Sequence, residues 1–148
     1  MYCSASLRNG FVYLPTMARL DAGGHMTIEP VEVVPVSDSS RLREAFERCL
    51  ARGNPMRAMP KTRAEWAPFV MLKYAGVKSS SAWEKGLSEW DIDEVDGVWR
   101  IVGRRKGHGR GTVEDLSQKT VFPAGTTANE VIERMIAILR EKAGLPAQ

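Results

Sequence analysis

The sequence is poor in the residues that most often do chemistry. Its 148 residues include two cysteines and two histidines. Cys3 and Cys49 stand far apart, as do His25 and His108, and no Cys-x-x-Cys or His-x-x-x-His spacing occurs. Zinc sites draw their ligands from such closely spaced pairs, so no metal and no cofactor is expected. No Gly-x-Ser-x-Gly elbow supplies a nucleophile for either histidine, so no catalytic residue is assigned and the chain is not expected to be an enzyme. Long apolar runs are missing too. The longest aliphatic stretch, Val31 to Val36, is broken by Glu32 and Pro35, whereas a membrane span needs roughly 20 apolar residues. Phe11 to Leu14 is shorter than the apolar core of a signal peptide, roughly 7–15 residues. The expectation is a cytoplasmic protein with no membrane segment, whose thiols are free and reduced.

Neither sign of charge dominates. Twenty-one Lys and Arg stand against 18 Asp and Glu, a net charge of +3. That falls well short of the positive field of a dedicated nucleic-acid binder. The charge is nevertheless segregated. Residues 84–96 hold Glu84, Glu89, Asp91, Asp93, Glu94 and Asp96 against Lys85. Residues 97–112 hold Arg100, Arg104, Arg105, Lys106 and Arg110 and no acid.

Periodicity supplies the elements. Phe11 to Leu20 and Met26 to Val36 read as strands around the Asp21-Ala-Gly-Gly24 turn, with a bend at Pro15 and a bulge at Pro30. Ser37 to Ser40 offer caps for a helix whose stripe is Leu42, Ala45, Phe46, Cys49 and Leu50. Gly53 and Pro55 stop it, and residues 53–64 read as a loop. A short helix is predicted from about Ala67 to Tyr74, and another after Ser79, with Ser81 and Glu84 as its capping box and Trp83 buried. Asp96-Gly97 is a two-residue hairpin turn between Trp90 and Val102. It sets Val95 opposite Val98, Asp93 opposite Arg100 and Ile92 opposite Ile101. Trp90, Ile92, Trp99 and Ile101 then share one face, and Asp91, Asp93 and Arg100 the other. Residues 103–111 read as a flexible basic loop, and Thr112 to Phe122 as a strand. Thr127 and Glu130 form a capping box before the stripe Ile132, Met135, Ile136 and Leu139.

These elements predict an α+β fold, an antiparallel β-sheet with helices packed mainly on one face. Residues 11–52 and 98–143 repeat one order of elements, which makes two ββα-like units. Residues 1–10 are expected to be a flexible N-terminal extension, 11–143 a single domain and 144–148 a tail.

Two surfaces stand out as candidates. Asp91 and Asp93 should face solvent on the hairpin and stay ionised. With Glu94 they form an acidic face suited to a basic partner. Arg104, Arg105, Lys106, His108 and Arg110 make a second, basic rim. That 103–111 segment lacks the Gly-Lys-Ser/Thr of a phosphate-binding loop, and it carries the alternative reading of a small RNA- or DNA-binding module.

One resemblance sharpens this. Leu72-Lys-Tyr-Ala-Gly-Val-Lys-Ser-Ser-Ser-Ala-Trp-Glu-Lys-Gly86, Trp90-x-Ile92, Asp96-Gly97-Val98-Trp99-Arg100-Ile101 and Val121-Phe-Pro-Ala-Gly125 before Asn129-Glu-Val-Ile132 follow an order similar to that of bacterial contact-dependent growth inhibition immunity proteins. The likeness spans residues 68–140. It implies a cytoplasmic protein without enzymatic activity. It also implies a partner, the cognate C-terminal toxin domain, often a nuclease, which the immunity protein neutralises by covering its active site. It carries over no catalytic or contact residue.

Overall fold

Asn9 and Gly10 both take positive φ, 51° and 80°. That is the backbone of a type I′ turn, whose twist suits two antiparallel strands. In the computed structural model, which describes residues 1–62, 65, 69–109 and 111–147, this turn joins β1 (Tyr2–Arg8) to β2 (Phe11–Leu20). There follow β3 (His25–Pro35), α1 (Ser39–Arg52) and the two-residue β4 (Met56–Arg57). Two short helices, α2 (Met71–Ala75) and α3 (Ser80–Glu84), lead to β5 (Ser88–Val95), β6 (Val98–Lys106), β7 (Thr112–Val121) and α4 (Ala128–Lys142). The strands form one sheet in the order β3-β2-β1-β5-β6-β7, with β4 added in parallel to the end of β2. The fold is α+β.

Residues 1–10 are therefore not a flexible extension. Cys3, Ala5 and Leu7 alternate into the core, and the segment pairs with β2 on one side and β5 on the other. Its alternation is easily passed over because small and polar residues carry it.

The central pairing relates the two halves. Each half is a three-stranded meander followed by a long helix, β1-β2-β3-α1 and β5-β6-β7-α4. Asn9-Gly10 in the first half corresponds to Asp96-Gly97 in the second, whose φ angles are 52° and 79°. Across the midline Cys3 lies opposite Ile92 and Ala5 opposite Trp90. Equivalent positions thus exchange places about a local twofold between β1 and β5. The ββα-like units seen in the sequence lacked their first strands.

α1 and α4 cover one face. Asp38 caps α1 by accepting from the Arg41 amide at 3.1 Å, and Thr127 and Glu130 form the capping box of α4. Their stripes bury Leu42, Ala45, Phe46, Ile132, Met135, Ile136 and Leu139 against Val12, Leu14, Trp90, Ile92, Trp99 and Ile101. Each such large side chain contributes roughly 1.5–3 kcal/mol by leaving water.

Among the described residues, the helices on the opposite face pack mainly over its β2–β3 half. There α2 and α3 seat Met71 and Trp83 on Tyr13 and Val31. The cap of α3 is Ser79, which accepts from the Ala82 amide at 3.1 Å, rather than Ser81. The helix expected from Ala67 is found as α2, while Trp66, Ala67 and Pro68 lie outside the described residues. Pro15 sits where β1 and β2 stop pairing, beyond Ser6 and Tyr13, so its missing N–H leaves no ladder bond unmade. Asn54 fills the gap between the splayed strands. Its Oδ1 accepts from the Tyr2 amide at 2.9 Å, and its Nδ2 donates to the carbonyls of Tyr2 and Met17 at 2.7 and 2.8 Å. Opposite Pro15 the register of β3 shifts around Glu29 and Pro30, the bulge expected there.

Candidate functional site

Period-two alternation sends Tyr2, Ser4 and Ser6 of β1 and Glu89, Asp91 and Asp93 of β5 to the face without long helices. Arg100 and Arg104 of β6 and Glu114 of β7 join them there. α3 meets β1 at its far end, where Arg8 donates to the carbonyls of Ala82 and Trp83 at 3.2 Å, and not at Tyr2. The result is a recess of about 530 Å³ whose lining includes Tyr2, Glu89, Asp91, Asp93, Arg100, Arg104 and Glu114, with Met17, His25 and Thr27 on its β2–β3 flank.

Asp91 lies at its floor and is 5% exposed. Its two oxygens accept from the Tyr2 hydroxyl and the Arg104 guanidinium, each at 2.7 Å. Arg104 also donates to the Thr112 hydroxyl and carbonyl at 2.8 Å. Arg100 donates from Nε to both oxygens of Asp93, at 2.8 and 2.9 Å, and from Nη2 to Glu114 at 2.9 Å. The expectation that Asp91 and Asp93 face solvent is thus corrected. The cross-strand register was right, since Asp93 does lie opposite Arg100. What alternation within the hairpin could not show is that Tyr2 from β1 and Arg104 from further along β6 close over Asp91.

Glu89 is less well served. Its nearest donor is the Ser6 hydroxyl at 3.4 Å. Burial and the charge of Asp91 push its carboxyl above the ordinary range. Burial and the same Asp91 push the Tyr2 phenol well above its usual value. Burial lowers the Arg104 guanidinium, but Asp91 more than restores it and the net shift is upward. The ring of Tyr2 stacks on His25, centroids 4.3 Å apart. His25 opens β3 rather than sitting in a turn, and burial and Arg19 lower its pKa.

The other candidate residues lie elsewhere. Glu94 belongs to the opposite face of β5, and its amide donates to the Met1 carbonyl at 2.9 Å. Arg104, Arg105 and Lys106 are not loop residues, because β6 continues through Lys106 and β7 begins at Thr112. Gly103 belongs to this strand. A Cβ there would lie 2.8 Å from Cβ of Gln118 on β7, where the β6–β7 register shifts, so the glycine makes room for that irregularity and is not a mark of disorder. Arg105, Lys106 and His108 are exposed toward the end of this hairpin. Arg110 lies outside the described residues.

The structure therefore brings together Asp91, Asp93 and Arg104, and adds Arg100, Tyr2, Glu89 and Glu114. Tyr2 was missed with the rest of β1. The Asn9-Gly10 pair, a strong hairpin signal, was the clue that would have found it. Among the described residues, no helix is long and apolar enough to cross a membrane.

No family model matches the sequence, and no curated protein matches it. Among solved structures, the chain is similar to a protein of unknown function, NMB0488, from Neisseria meningitidis. The TM-score is 0.65 and the identity 12%, over 95% of this chain and 93% of that one. It is also similar to a chain of the CdiA-CT/CdiI toxin and immunity complex from Yersinia pseudotuberculosis. There the TM-score is 0.57 and the identity 15%, over 94% of this chain and 95% of that one. These likenesses establish a shared fold.

Proposed function

We propose that this chain is an immunity protein. It binds the C-terminal toxin domain of a contact-dependent growth inhibition system in the cytoplasm and neutralises it by covering its active site. It needs no catalytic residue to do so. The observation that carries this reading is the fold likeness to a chain of a toxin and immunity complex, which runs along nearly the whole chain. The uncovered half of the sheet supports it. Its recess holds four carboxylates, Glu89, Asp91, Asp93 and Glu114, against the guanidiniums of Arg100 and Arg104. A nuclease grips phosphates with basic side chains, and a recess with excess negative charge is complementary to such a surface and steers it in. A stable complex buries roughly 800 Å² on each partner. The contact therefore extends past the recess, along the β6–β7 hairpin with Arg105, Lys106 and His108.

The test is co-expression with the toxin domain encoded beside this gene. Growth should be rescued and a complex should elute as one peak on gel filtration. Continued killing together with separate elution would sink the proposal. Of the cations that carry the nucleic-acid alternative, Arg104 is already held by Asp91, while Arg105 and Lys106 are exposed. A mobility-shift assay with short RNA and DNA at low salt should show no binding.

A further inference from the structure

Cys3 and Cys49 are free thiols, and their sulfurs lie 3.0 Å apart in the core, joining β1 to α1. That is about 1 Å beyond a bonded pair. The two residues are 1% and 6% exposed. Arg52, one turn along α1, completes the setting. Its Nε donates to the Thr16 hydroxyl and its Nη1 to Glu32, both at 3.0 Å. Its Nη2 is buried with no hydrogen-bond partner. A buried guanidinium nitrogen left in this state is costly unless an anion can form beside it. The sulfur of Cys49, whose thiol donates to the Pro15 carbonyl at 3.6 Å, lies within reach of the Arg52 charge. The contact with Cys3 and, against burial, the charge of Arg52 lower the Cys49 thiol. Cys3 is raised by the same contact and by its full burial. The charge of Arg52 on Cys49 and the deeper burial of Cys3 favour Cys49 as the attacking sulfur and Cys3 as the resolving one.

We propose that Cys3 and Cys49 are a modification site, a dithiol that hydrogen peroxide closes into a disulfide stitching the central strand β1 to helix α1. Peroxide is the oxidant because it is a small two-electron acceptor that needs the least opening to reach buried sulfurs. The Cys49 thiolate attacks one peroxide oxygen, the O–O bond breaks and hydroxide leaves, giving a sulfenic acid. The Cys3 sulfur then attacks the Cys49 sulfur. Its proton goes to the departing oxygen, which leaves as water. Two sulfurs lose one electron each and the peroxide gains both. Because the sulfurs are shielded, peroxide reaches them through brief local opening, and closure is faster in mild denaturant than in buffer. The cross-link ties residue 3 to residue 49, and a loop of that length restricts the unfolded chain enough to raise Tm by about 5–10 °C.

The experiment uses the intact protein with peroxide in modest excess. The expected result is the loss of two hydrogen atoms in the non-reduced mass, a linked proteolytic peptide containing Cys3 and Cys49, and a higher Tm that a thiol reductant reverses. Cys3→Ser should instead leave Cys49 to take up oxygen atoms, with no gain in Tm. Recovery of both thiols by alkylation after unfolding would overturn the proposal. So would oxygen addition to the unsubstituted protein without a linked peptide.

Discussion

The guanidinium of Arg104 reaches from β6 to the floor of the recess and meets the Asp91 carboxylate at 2.7 Å. The carboxylate is nearly inaccessible, while the arginine side chain keeps 26% of its exposure. Removing either partner leaves the other charge in a place built for a pair. Asp91→Ala should therefore cost about 3 kcal/mol of stability in chemical denaturation. Arg104→Ala should cost a comparable amount. The double variant should lose clearly less than both singles together. Additive losses would mean that the two side chains stabilise independently.

Glu89 should give the protein a pH dependence of definite sign. Burial and Asp91 raise its pKa in the folded state, so the fold favours its protonated form. Its support for folding is complete below the ordinary carboxylate range and is lost as pH rises through the raised value. Glu89→Gln removes that loss. The variant should melt above the unsubstituted protein near neutral pH, and the difference should shrink on acidification. Melting curves recorded from about pH 4 to about pH 8 measure it. A difference independent of pH would show that the carboxyl does not titrate anomalously.

Gly103 should tolerate no side chain while Gln118 stands opposite. Gly103→Ala brings two Cβ atoms within 2.8 Å and should destabilise by about 1–3 kcal/mol, the range for overpacking. Gln118→Gly in the same chain should recover most of the loss. A harmless Gly103→Ala would return residues 103–111 to the status of a loose loop.

Asn54→Ala should open the gap between β1 and β2. Three hydrogen bonds vanish together and leave partly buried backbone groups of Tyr2 and Met17 unpaired, at a cost of about 1–3 kcal/mol. The Tyr2 amide should then exchange with solvent far faster than that of Leu7, and hydrogen exchange resolves the two.

Legibility in the sequence followed the range of the interactions. The β5–β6 hairpin could be read residue by residue, because Asp96-Gly97 and the alternation of Trp90, Ile92, Trp99 and Ile101 lie within one short segment. The stripes of α1 and α4 were legible for the same reason. β1 was not, since Cys3, Ala5 and Leu7 give a weak pattern and its second partner, β5, is remote in the chain. The candidate site was half visible. Alternation placed Asp91 and Asp93 on one face correctly. Whether that face was open depended on Tyr2 from β1 and Arg104 from β6, and their approach is a matter of sheet order. Composition misled at Gly103 and Arg104, where glycine and charge suggested solvent but serve an irregularity in the β6–β7 pairing and an ion pair with Asp91.

The midline pairing of β1 with β5 has a consequence for how the molecule is made. During synthesis the first meander and α1 emerge complete, yet the inner edge of β1 has no neighbour until β5 follows the whole intervening segment. Joining strands so distant in sequence is slow, and an open strand edge is a place where chains adhere to one another. Tyr2, Ser4 and Ser6 lie along that edge. The recess proposed to meet the toxin therefore exists only once the two halves have closed on each other, since its lining is drawn from both.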